Sequence, residues 1–175
     1  MSRKEKWKNW WWYHKTPVLI AIAAAAVVLY AVLPGLLETK PDYSVAVITT
    51  NWVPEETLTA LRERMEQAAD DANGDGTVLT AVMYYGADLS GETEGTENYL
   101  EAARLDADLV GKVSLVFLLD NPEGFRTNTV VPVETEIPCD TLPLFDGIPL
   151  PKGTVMTVRT DCDSATIYER IKEYR

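Results

Sequence analysis

The sequence predicts a three-layer α/β domain carried behind one transmembrane helix. Three observations predict it. Pro17–Leu37 is apolar throughout and carries no charge; the residues beyond it alternate valine-rich stretches with amphipathic ones; and Leu115–Leu119 is apolar at every position, as a strand covered on both faces is. A β-α-β-α-β order implies right-handed crossovers and a mostly parallel sheet of order 2-1-3, to which the C-terminal part adds edge strands.

The 21 residues Pro17–Leu37, at a rise of ~1.5 Å each, reach roughly 31 Å, enough for one bilayer crossing. Ahead of them, Arg3, Lys4, Lys6, Lys8 and Lys15 stand against a single Glu5, whereas Glu38, Lys40 and Asp42 follow. The positive-inside bias places the N-terminus in the cytoplasm, with Trp7, Trp10, Trp11, Trp12 and Tyr13 at headgroup depth. A cleaved signal peptide is the competing reading. Against it, the run exceeds an h-region of about 7–15 residues and no A-x-A site follows. Lipid anchoring is disfavoured too, because Cys139 and Cys162 lie far downstream. The chain therefore divides into a basic and aromatic leader (1–16), a span (17–37), a linker (38–42) and an extracytoplasmic domain (43–175) of a single-pass cell-membrane protein.

Of 16 basic and 27 acidic residues, five and one precede the end of the span, which leaves 11 against 26 and a formal charge of −15 beyond it. Nucleic acid is excluded as a partner for such a surface. The acidity serves either solubility at a cell surface or docking of a partner. Two cysteines in an exported domain are expected to pair. A Cys139–Cys162 bridge would close a 24-residue loop and stabilise by roughly 3 kcal/mol.

The elements follow in order. Tyr43–Thr50 reads as a strand, and Pro54 opens a helix with Leu58, Leu61, Met65 and Ala68 on one face. A Gly- and Asp-rich turn leads to a second strand, Thr77–Tyr85, then a polar loop, Gly86–Gly95. A helix at Thr96–Asp108 follows, with Leu100, Ala103 and Ala107 expected inward. Leu115–Leu119 is the expected central strand. Six prolines in Asn121–Gly153 point to loops and to edge strands around Asn128–Glu136. Thr154–Arg159 reads as a further strand, and Ser164 caps a helix over Ala165–Tyr174 with Ile167 and Ile171 on one face.

Ligands of open parallel sheets bind beyond the carboxyl ends of the strands where the strand order reverses. The residues there are Thr50, Asn51 and Trp52 after the first strand, Tyr84 and Tyr85 at the end of the second, and Asp120 and Asn121 after the third. The same residues also read as structural: Thr50 or Asn51 as a helix cap, Asp120 and Asn121 as an Asx turn, the aromatics as packing. The only histidine, His14, precedes the span, so Ser-His-Asp and Cys-His catalysis are excluded from the domain. No G-x-S-x-G, Walker A or G-x-G-x-x-G is present. Carboxylates, or a Ser-Lys pair, are the chemistry left for an enzyme.

The stretch Asp71-Ala72-Asn73-Gly74-Asp75-Gly76 resembles the start of the calcium loop of EF-hand and dockerin proteins. That resemblance implies weak Ca²⁺ binding through Asp71, Asn73 and Asp75 side chains and the Thr77 carbonyl. Val82 stands where the family places its bidentate glutamate. The alternative is a helix C-cap and turn built on residues that tolerate positive φ. The layout of basic and aromatic leader, single span, Pro41-Asp42-Tyr43 junction and β-α-β unit with this turn resembles an uncharacterised family of membrane-anchored extracytoplasmic proteins of Gram-positive bacteria. The unit is also loosely similar to one lobe of an extracellular solute-binding protein, without room for a second lobe. The family carries no activity to transfer; the chain is expected to be an anchored binding or interaction module for a protein or cell-surface component. The alternatives are a carboxylate- or cation-dependent enzyme with its site at the strand ends, or an accessory subunit held through the small residues Ala21–Ala26.

Overall fold

The computed structural model describes residues 3–37, 40–90, 96–162 and 165–174 and divides into two compact units, the chain passing from the first to the second between residues 39 and 40. The first is one helix, α1 (Arg3–Leu37), so leader and span are a single continuous element. Its segment long and apolar enough to cross a membrane is Trp10–Tyr30, which starts seven residues before Pro17 because the aromatic belt extends the apolar stretch. Trp10 packs against Trp7 and His14, one turn to either side, with ring centroids 5.9 and 5.0 Å away. The Lys15 ammonium lies 4.1 Å over the Trp12 ring, a cation–π contact.

The second unit is the α/β domain. Its strands are β1 (Tyr43–Ile48), β2 (Thr80–Tyr85), β3 (Val116–Leu119), β4 (Ile137–Pro138) and β5 (Val155–Val158). Its helices are α2 (Glu55–Ala68), α3 (Thr96–Gly111), α4 (Pro122–Asn128) and α5 (Ala165–Glu173). The sheet runs β2-β1-β3-β5-β4, with β1 parallel to both β2 and β3, and β5 antiparallel to β3 and β4. The order 2-1-3 with C-terminal edge strands is the one expected, and β3 lies between β1 and β5.

Strand periodicity divides the interior in two. Val45, Val47, Val116, Leu118, Met156 and Val158 face one side, where α2 brings Leu58, Leu61 and Met65 and α5 brings Ile167 and Ile171. Ala46, Ile48, Phe117 and Leu119 face the other, against Leu105 and Leu109 of α3 and Phe125 of α4. Burying one such leucine or isoleucine contributes roughly 1.5–3 kcal/mol. Alternation thus sends one apolar strand into two cores, which gives the three layers.

Several expectations need correction. Leu100, Ala103 and Ala107 point outward, and the buried face of α3 is Leu105, Asp108 and Leu109. The reason is a polar group in the interior. Asp108 is buried and accepts hydrogen bonds from the Tyr85 hydroxyl (2.6 Å), the Ser114 hydroxyl (2.6 Å) and the Ser114 N–H (2.8 Å), so a search for apolar spacing selects the wrong arc. Strand β2 begins at Thr80 rather than Thr77. The proline-rich segment contains a helix, α4, opened by Pro122 at its first position. Residues 129–136 form one isolated bridge, Val133 to Arg159, and the edge strand proper is Ile137–Pro138. Ser164, residues 91–95 of the expected polar loop and Glu38–Thr39 of the linker lie outside the described residues.

The expected disulfide is not formed; both thiols are free. Cys139 donates its N–H to Thr154 O beside the start of β5, and Cys162 lies four residues past that strand's last residue, Val158. From Thr154 to Arg159 a strand rises about 16 Å. The cysteines therefore stand at opposite ends of β5, well beyond the roughly 7 Å that a bridge tolerates between Cα atoms.

Candidate functional site

The carboxyl ends of β1 and β3 are where the chain reverses direction across the sheet, and they bring together Thr50, Asn51, Trp52, Tyr84 and Asp120. The connection is a hydrogen-bonded loop. Thr49 donates its N–H to Tyr85 O at 3.2 Å and its hydroxyl to Asn51 O at 2.7 Å. Thr50 donates its N–H to Asp120 Oδ2 at 2.8 Å, and the Tyr84 hydroxyl donates to Asn51 O at 3.3 Å. Val53 is buried beneath the loop, while Trp52 stands 75% exposed above it. The loop backbone is thus held from three strands, and its one large side chain is left in solvent.

Burial holds the Asp120 carboxyl above the usual carboxylate range, an effect partly offset by the Thr50 N–H and other backbone donors. Asn121 is a helix cap: its Oδ1 accepts the Gly124 N–H at 2.9 Å. Gly124 has no room for a side chain, since a Cβ there would lie 2.6 Å from Leu89 O. The loop after β2 is thereby seated on α4, where the Asn128 side chain also donates to Leu89 O. Neither Thr50 nor Asn51 caps α2; Pro54 occupies that position with an extended backbone and no side-chain cap.

Tyr85 is not part of this rim. Adjacent strand residues face opposite sides, so Tyr84 reaches the β1 loop while Tyr85 is buried on the α3 side against Asp108. Burial and the hydrogen bond to Asp108 push the Tyr85 phenol well above its usual pKa.

Elsewhere, Asp71, Asn73 and Asp75 build the turn that follows α2. Asp71 accepts N–H groups from Gly74, Asp75 and Gly76, Asn73 accepts from Asp75, and Asp75 accepts from Thr77. Gly74 and Gly76 both take positive φ, as such a turn requires. Asp42 accepts from the backbone of Asn73 and Leu79, which docks the end of the linker on this turn. Slight desolvation opposes these donors, and they hold its carboxyl below the usual range. Among the described residues, no three acid, thiol or imidazole side chains converge on one point where a metal ion could sit.

Sequence reasoning missed a groove of about 500 Å³ beside the start of β5, lined by Cys139, Phe145, Ile148, Leu150, Lys152 and Thr154 among others. Its walls come from irregular backbone, which leaves no periodic signal. Burial pushes the Cys139 thiol up to about 12, so this sulfur is a packing group rather than a nucleophile. In comparisons with known protein families, curated proteins and solved structures, nothing matches this chain.

Proposed function

We propose that this chain is a single-pass membrane protein, cytoplasmic at its N-terminus, that displays its α/β domain outside as a binding module for a protein or cell-surface component. The observation that carries the binding reading is Trp52, an exposed indole on a loop hydrogen-bonded from β1, β2 and β3. Large aromatic side chains on pre-ordered backbone are the residues from which interfaces draw most of their affinity. Little ordering entropy opposes docking there. The orientation is supported by Arg3, Lys4 and Lys8 ahead of the Trp10–Tyr30 segment.

Protease added to intact cells is expected to remove the domain and spare the leader. Full-length protein in detergent, applied to isolated cell-surface material, is expected to be retained, and Trp52→Ala to lower retention at least tenfold with an unchanged melting temperature. Protection of the domain overturns the orientation. Equal retention of wild type and Trp52→Ala overturns the binding role.

A further inference from the structure

The surroundings of Trp52 narrow the chemistry of the partner, an inference that rests on the binding-module reading above. Glu55 and Glu56 open α2 directly after the Trp52 loop, Asp88 lies in the loop after β2, and Asp120 and Glu123 follow β3. No lysine or arginine occurs in residues 41–61, 65–103 or 113–125, so all three connections at this end of β1, β2 and β3 are acidic without a base. Among the described residues, Glu55, Glu56, Asp120 and Glu123 enter no ion pair. Lys152 precedes β5, which neighbours β3 but not β1, and Arg126 is engaged by Glu136 at 3.3 Å.

We infer that the rim around Trp52 docks a lysine- or arginine-rich peptide segment of a protein partner, with a cationic side chain over the indole face and its neighbours opposite Glu55, Glu56 and Glu123. An exposed tryptophan is the best aromatic partner for a cation. Glu55, Glu56 and Glu123, which enter no ion pair among the described residues, steer a basic segment and repel an acidic one. A cation beside Asp120 would also relieve the penalty that burial places on its carboxylate.

The test uses the full chain in neutral-lipid nanodiscs and three fluorescent decapeptides that alternate glycine with arginine, glutamine or glutamate. The arginine peptide is expected to bind more tightly than the others. Trp52→Ala should weaken it at least tenfold, and Glu55→Gln with Glu56→Gln about fivefold at 50 mM salt, a difference that closes at 500 mM as screening shortens to a few ångströms. Two distant substitutions, Asp106→Asn and Glu173→Gln, should leave binding unchanged. Equal loss from the distant pair, or no loss from Trp52→Ala, overturns the inference. Retention on cell-surface material that depends on Trp52 but survives 500 mM salt and competition by the arginine peptide overturns the cationic partner alone. If Trp52→Ala is silent in both assays, both readings fall.

Discussion

Tyr85 and Asp108 meet on the α3 side of the sheet, where the phenol donates to the carboxylate at 2.6 Å and Ser114 supplies two further donors to the same group. This cluster ties β2 and α3 to the residues leading into β3. Asp108→Ala would strand the hydroxyls of Tyr85 and Ser114 in the interior, at a cost of about 3 kcal/mol. Tyr85→Phe removes one of these bonds and should destabilise by about 1.5 kcal/mol. Urea denaturation of both variants checks the order; equal losses would mean that the carboxylate is not the hub.

Two phenols make the domain sensitive to alkali. Burial, and then acceptance of their hydrogen bonds by Asp70 and Asp108, raise Tyr43 and Tyr85 above their usual value of 10. A group whose folded pKa is raised contributes stability that is complete below its unfolded pKa and is lost as pH rises through the folded one. Stability should therefore hold up to pH 10 and decline above it, where the unfolded chain releases protons that the native state keeps. Urea midpoints at pH 9, 10.5 and 11.5 test this, and the Tyr43→Phe, Tyr85→Phe double variant should flatten the decline.

Two leucines of α3 report which arc is inside. Leu105 is 1% exposed and Leu100 is 56% exposed. Leu105→Ala should destabilise by about 2–5 kcal/mol and Leu100→Ala by no more than about 0.5 kcal/mol. Thermal melts that reversed this order would restore the arc predicted from apolar spacing.

The thiols should behave unequally. In native protein, iodoacetamide is expected to modify the partly exposed Cys162 and to leave the buried Cys139 untouched until denaturant is added. Peptide mass mapping without reductant should recover no linked pair, and a Cys139–Cys162 peptide would contradict the placement of the two residues at opposite ends of β5.

What the sequence made legible is what periodicity encodes. The valine- and isoleucine-rich Tyr43–Ile48 announces a strand, the unbroken apolar run Val116–Leu119 one covered on both faces, and the chain order then admits few sheet topologies. Legibility fails where a polar group replaces an apolar one inside. Asp108 hides the buried arc of α3, and the groove before β5 rests on irregular backbone. At the rim, Trp52, Tyr84 and Asp120 were legible as a set because fold topology predicts which strand ends converge. Tyr85 was misassigned because adjacent strand residues face opposite sides, so Tyr84 and Tyr85 cannot both join the rim. Pro122 illustrates a further ambiguity: a proline breaks a helix from within but opens one at its first position, and Asn121 as the preceding cap decides which.

Folding of the domain during synthesis is constrained by the way its elements interleave. β3 needs β1 on one side and β5 on the other, and the face covered by α2 is completed only by Ile167 and Ile171 of α5. A nascent chain that has delivered β1, α2, β2, α3 and β3 still exposes Val116, Leu118 and an unpaired strand edge. Such an intermediate is prone to aggregation, and it persists until residue 171 has been added. Helpers that shield apolar surface would therefore act between emergence of β3 and docking of α5.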